Sequence, residues 1–226
     1  MSLGSYTEQQ VLDLARRQYE QGVAQFTFKP ETSVLLVIDM QEEFVKPRWT
    51  PYWIPEATRI IPRIKQLIGH CRKSNIPIIY TVYSNTHRYL DRPKYLPAMP
   101  SRQFDEDIDQ SSLFIKGMVA DEIAPQQDDI VIHKCSYGAF YDTPLETILK
   151  NLEKDTVIIS GTLTNYCCSM TARQAYERGF KVIFGSDVTA THFPEMHAYE
   201  LQVLRRGFAK VLTLQEIREA LEATSV

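Results

Sequence analysis

The sequence predicts an α/β fold: three layers, α-β-α, around a six-stranded, mostly parallel, Rossmann-like sheet in a single domain. Three observations carry the prediction. Apolar runs of strand length recur as continuous stretches, as strands buried on both faces do. Amphipathic helical segments fall between most of them, which is the pattern of crossover connections. The chain has 226 residues, enough for one large domain with a substantial core.

Each element has its own signal. Residues 6–22 form an N-terminal helix: Thr7 can cap it, and Val11, Leu14, Ala15 and Tyr19 recur at helical spacing. This helix belongs to an arm over residues 1–30, placed to pack on the domain or on another subunit. The domain proper takes residues 31–226. Residues 33–38 read as the first strand, ending at Asp39. Residues 55–74 read as a helix with Ile60, Ile61, Ile64, Leu67 and Ile68 on its inner face. Strand two covers 76–83 and strand three 129–133, ending at Lys134. A short helix is expected over 145–152, strand four over 156–160, and a helix over 165–178 stopped by Gly179. Strand five spans 181–185, a helix spans 194–206, strand six spans 210–213, and a last helix spans 214–223. The connection 84–117, with Pro93, Pro97 and Pro100, is long enough for a lid or a peripheral insertion.

Composition narrows the function. A net charge of −3 with scattered Lys and Arg argues against nucleic acid or an anionic membrane as partner. No apolar run approaches the ~18 residues of a membrane span. No basic region followed by an apolar stretch opens the chain, so a cytoplasmic setting is expected. The cysteines Cys71, Cys135, Cys167 and Cys168 show no CxxC spacing, and free thiols are the expectation there. The nine glycines form neither GxGxxG nor GxxxxGK, so the usual phosphate cradles are missing.

The chemistry collects at strand ends. In a parallel sheet the carboxyl ends of the strands share one edge, where ligands bind. Asp39, Lys134 and Cys167 all fall there: an acid, a base and a nucleophile. Cys167 follows strand four through the turn at Gly161 and lands at a helix start. Unpaired N–H groups and the helix dipole there favour a thiolate. Cys168 lies about 100° further round the helix and reads as core.

Three segments carry a resemblance. Val34-Leu35-Leu36-Val37-Ile38-Asp39-Met40-Gln41-Glu42-Glu43-Phe44 resembles the opening motif of the isochorismatase-like cysteine hydrolases. That group includes nicotinamidases, N-carbamoylsarcosine amidohydrolases and ureidoacrylate hydrolases. Lys134-Cys135-Ser136-Tyr137-Gly138-Ala139-Phe140 resembles the family's lysine motif. Gly161-Thr162-Leu163-Thr164-Asn165-Tyr166-Cys167 resembles its nucleophile motif, which Thr171-Ala172-Arg173-Gln174-Ala175 continues. The similarity runs from about residue 33 to residue 214.

The resemblance implies Asp39, Lys134 and Cys167 as a catalytic triad, a cis peptide at Leu163–Thr164, and an oxyanion hole from the N–H groups of Thr164 and Cys167. It implies hydrolysis of a C–N bond in a small amide or ureide through a thioester, in a homodimer or homotetramer. Gln41, Phe44, Trp53, Tyr137 and Phe140 are the expected substrate contacts, with Trp49 and Tyr52 as further aromatics nearby. Nicotinamidases of the family hold a metal through Asp-x-His; no such pair occurs here, and His87, His133, His192 and His197 show no ligand spacing. No metal and no cofactor are therefore expected. The rival readings are a vinyl ether hydrolase of the isochorismatase type, whose members lack the cysteine, and a non-catalytic binding module.

Overall fold

The computed structural model describes residues 4–85, 87, 90–91, 113–115 and 117–223. Most of the predicted 84–117 connection lies outside the described residues. Six parallel strands form one sheet in the order β3-β2-β1-β4-β5-β6. They are β1 (Ser33–Ile38), β2 (Ile78–Tyr83), β3 (Ile130–Lys134), β4 (Thr156–Thr162), β5 (Lys181–Ala190) and β6 (Lys210–Leu212). The order reverses between β1 and β4, which sit side by side at the centre. This is the switch point at which a crevice opens beyond the strand ends.

Every residue of β1 and of β4 is buried. Leu35 and Val37 point into one core with helix α3 (Pro55–Lys73) and helix α7 (Leu214–Ala223). Val34, Leu36 and Ile38 point into a second core with α4 (Leu145–Asn151), α5 (Ser169–Glu177) and α6 (Pro194–Gly207). The continuous apolar runs arise because both faces are covered. Among the described residues no helix is long and apolar enough to cross a membrane.

The N-terminal helix α1 (Glu8–Gln21) is capped by Thr7 as expected, and Gln10 completes a capping box: the Thr7 hydroxyl takes the Gln10 N–H and the Thr7 N–H binds the Gln10 side chain. It lies along α6, buries no residue of its own, and leaves Val11, Leu12, Leu14 and Tyr19 exposed.

Three boundaries differ from expectation for physical reasons. Strand β2 starts after Pro77, which has no N–H for the ladder. Strand β4 runs two residues further, pairing Gly161 with Thr189 and Thr162 with Ala190. Strand β5 continues to Ala190 because, past a register shift after Phe184, it pairs with β4 again at Thr189 and Ala190. A four-residue helix, α2 (Glu42–Val45), is too short for periodicity to reveal.

Candidate active site

Gly161 sets the geometry of the central crevice. Its φ is +115°, and a Cβ built on it would stand 2.0 Å from the Ile38 carbonyl oxygen. Only glycine lets β4 pass this close to the end of β1. We expect Gly161→Ala to cost several kcal/mol, on the order of 3 or more. A melting temperature close to wild type in that variant would refute this close-packed origin of the site.

Beyond Gly161 the chain leaves the sheet and enters a π-helical turn, Thr164–Cys168, ahead of α5. The cis peptide lies at Thr162–Leu163, one bond earlier than the expected Leu163–Thr164. The sheet ladder ends at Thr162, so the chain changes direction at the peptide that directly follows it. The Leu163 carbonyl then accepts the N–H groups of Tyr166 and Cys168, which closes the turn and fixes Cys167 between them.

Asp39 follows β1 in a left-handed conformation, φ +51°, that Asp tolerates better than most side chains. Its N–H donates to the Thr81 carbonyl, and the Thr81 hydroxyl donates to Oδ1 at 2.8 Å. Lys134, the last residue of β3, reaches across β2 with its ammonium. Nζ stands 2.7 Å from Asp39 Oδ2, 2.8 Å from the Ser136 carbonyl and 3.5 Å from Cys167 Sγ. These three contacts account for the three hydrogens of an ammonium. Asp39 and Lys134 have no exposed side-chain surface, while Cys167 keeps 7% of its accessible area. Asp39 Oδ2 pairs with the ammonium at 2.7 Å and keeps a second lone pair for the thiol proton.

The electrostatics correct one expectation. Burial at Cys167 opposes the thiolate that a helix start favours. Burial pushes the thiol up to about 12; Lys134 pulls it down and Asp39 raises it further. Burial alone would lower Lys134, but its contacts with Asp39 above all, and with Cys167, outweigh it and hold the ammonium above its usual range. The resting site is a neutral thiol beside an ion pair. The thiolate absorbance that Cys167 contributes should therefore be absent from about pH 6 to about pH 10. The difference spectrum between wild type and Cys167→Ala reads this directly, and a step near an ordinary thiol's value would contradict it.

The loop after Lys134 and the helix after Cys167 are tied together. The Thr171 hydroxyl donates to the Cys167 carbonyl at 2.7 Å and accepts the Ala139 N–H at 3.0 Å. Gln174 Oε1 accepts the Phe140 N–H, and Gly138 passes where a Cβ would strike that Gln174 side chain. Cys168 is fully buried in the core, as read from the sequence.

The expected substrate contacts divide. Gln41 is fully buried. Its amide accepts the Tyr83 N–H and donates to the Tyr83 carbonyl and to Glu43, so it lengthens the β1–β2 contact with its side chain. Phe140 is a core residue against Phe180, displaced from the crevice because its loop is pinned by Gln174. The Trp53 indole donates to Thr58. Phe44 packs on Phe114, which also meets Tyr52 and Tyr83, and Tyr83 has the Lys134 ammonium 5.5 Å from its ring centroid. Tyr137 is partly exposed and pairs with Tyr166, the neighbour of Cys167. Trp49 is half exposed under Lys46.

Sequence reasoning missed Thr81 and Phe114, and gave Thr171 a place in a motif without a role. Thr81 carries a faint signal as the lone threonine inside an apolar strand; Phe114, and Thr171 in its bond to Ala139, act through contacts remote in sequence. Among the described residues no cluster of His, Cys, Asp and Glu could hold a metal ion.

Comparison with known proteins bears on this arrangement. The chain is 31% identical over 193 residues to nicotinamidase 3 of Arabidopsis thaliana, covering 84% of this chain and 88% of that one. A cysteine hydrolase from Pseudomonas syringae superposes with a TM-score of 0.79 at 24% identity, over 89% of this chain and 98% of that one. An N-carbamoylsarcosine amidase from Thermoplasma acidophilum superposes with a TM-score of 0.64 at 26% identity, over 81% and 96%. Residues 33–216 match the isochorismatase domain, a span that takes in all six strands and every side chain of the crevice described above, so the chain belongs to the isochorismatase family.

Proposed function

We propose that this family member cleaves a C–N bond of a small amide or ureide by covalent catalysis at Cys167. The observation that carries the reading is the buried contact of Lys134 with both Asp39 and Cys167, at 2.7 Å and 3.5 Å. A thiol raised to about 12 needs a base in contact with it, and Asp39 is that base.

As Sγ attacks the carbonyl carbon, its proton passes to Asp39. The new oxyanion takes the N–H groups of Thr164 and Cys167. Collapse breaks the C–N bond while Asp39 returns the proton to the departing nitrogen, leaving ammonia or an amine and a thioester on Cys167. Asp39, again a carboxylate, takes a proton from water; the hydroxide adds to the thioester carbonyl, the C–S bond breaks to release the acid, and Asp39 returns its proton to Sγ, restoring the thiol. Lys134 keeps its charge throughout, holding Asp39 in place and offsetting negative charge on sulfur.

The names of the two amide-cleaving relatives support C–N cleavage, and a cysteine in the crevice supports it over vinyl ether hydrolysis. Purified protein should be assayed on a panel of carboxamides, ureides and isochorismate, with released ammonia or amine and loss of the vinyl ether followed together. Nitrogen release abolished by Cys167→Ala is the expected outcome. Vinyl ether cleavage unaffected by that substitution would reject the reading.

A further inference from the structure

The nucleophile turn is held by groups outside the three motifs. His197, in the first turn of α6, bonds on both ring nitrogens: Nδ1 is 2.8 Å from Thr164 Oγ1 and Nε2 is 2.8 Å from the Ser186 carbonyl. A carbonyl only accepts, so Nε2 carries a hydrogen. Burial favours the neutral ring, although the Ser186 bond opposes this. With one hydrogen on Nε2, Nδ1 is an acceptor and the Thr164 hydroxyl donates to it. Thr164 is fully buried, and its carbonyl accepts the Ser169 N–H. Its orientation is therefore fixed from the side chain as well as from the helix.

Ser186 lies in the stretch where β5 shifts register against β4. The shift brings its carbonyl within reach of His197. A second tether runs beside the first, from the Thr191 hydroxyl to Asn165 Oδ1 at 2.7 Å. Both link the end of β5 and the start of α6 to the turn that carries Cys167. Beside His197 lies a cavity of about 280 Å³, lined also by Ser186, Asp187 and Thr191.

We propose that His197 is a positioning residue: through Thr164 it aims the backbone N–H of the nucleophile turn at the carbonyl oxygen under attack. The proposal rests on the covalent reading above. It treats Thr164 as set by hydrogen bonding to imidazole, beyond simple packing in the turn.

Two substitutions separate the two ring contacts. In His197→Asn the side-chain oxygen stands near the place of Nδ1 and keeps the acceptor for Thr164. Ser186 then faces the adjacent cavity, where water can satisfy it. In His197→Gln the amide can reach the Ser186 carbonyl but leaves Thr164 without its acceptor. Two reagents separate positioning from general reactivity. A p-nitrophenyl ester acylates Cys167 through an oxyanion; iodoacetamide alkylates the same sulfur without one.

For His197→Gln we expect acylation to slow by about 30-fold while alkylation changes less than about 3-fold. For His197→Asn we expect both rates within about 3-fold of wild type. Wild-type acylation by His197→Gln, equal losses in the two variants, or a parallel fall in alkylation would each overturn the proposal. If the ester results hold but no amide or ureide is turned over, the positioning role stands and the C–N reading fails. If wild-type Cys167 takes up no acyl group, both fall.

Discussion

Cys167→Ala should lower turnover by about 10⁴-fold or more, the scale on which a nucleophile is lost from a group of residues acting as a unit. The same substitution should leave the fold standing. Sulfur is removed from a core position between well-packed neighbours, which leaves a small void costing about 1–2 kcal/mol. Lys134 gives up its longest contact, at 3.5 Å, and retains Asp39 and the Ser136 carbonyl. No charge is left without a partner. Circular dichroism and a thermal melt should therefore look close to wild type while hydrolysis disappears. An unfolded variant would show that the thiol is part of the scaffold. An active one would remove the covalent step.

The ion pair behaves in the opposite way. Lys134→Met leaves the Asp39 carboxylate in a fully buried site with one hydroxyl donor, Thr81. Breaking a buried pair from one side costs about 3–5 kcal/mol, a large share of the ~5–15 kcal/mol that holds a domain folded. For a chain of this length that is a fall in Tm of roughly 10 °C or more. Asp39→Asn should also destabilise, by stranding the ammonium. The double variant Asp39→Asn with Lys134→Met has no buried charge to strand, so it should recover much of the lost stability and none of the activity. Losses that simply add would mean the two side chains do not act as a pair. The pH dependence has a definite sign. The Lys134 pKa is raised in the fold above its ordinary 10.5, so its stabilising contribution is complete below about 10.5 and is lost as pH climbs beyond it.

Much of this was legible in the chain because the sheet is local in its logic. The residue that ends an apolar run must sit at the sheet edge, so Asp39, Lys134 and Cys167 could be placed together before any coordinates. Their mutual distances could not, because they depend on β1 lying between β2 and β4. Contacts made across the fold were hidden for the same reason. Thr81 reaches Asp39 from 42 positions away, and His197 reaches Thr164 from 33. Gln41 read as a substrate contact because it closely follows Asp39 in the opening motif. Its amide instead completes the backbone of Tyr83. Position at a helix start is visible in sequence and depth of burial is not, so the upward push of burial on the Cys167 thiol could not be read there. Burial is the largest influence on the thiol and pushes it up.

The covalent step can be caught in the act. With an amide or ureide that the protein hydrolyses, acid quenching during turnover followed by peptide mass analysis should find the acyl group on Cys167, and the adduct should vanish once substrate is exhausted. Sustained turnover with Cys167 unmodified, or with the acyl group on another residue, would contradict the account.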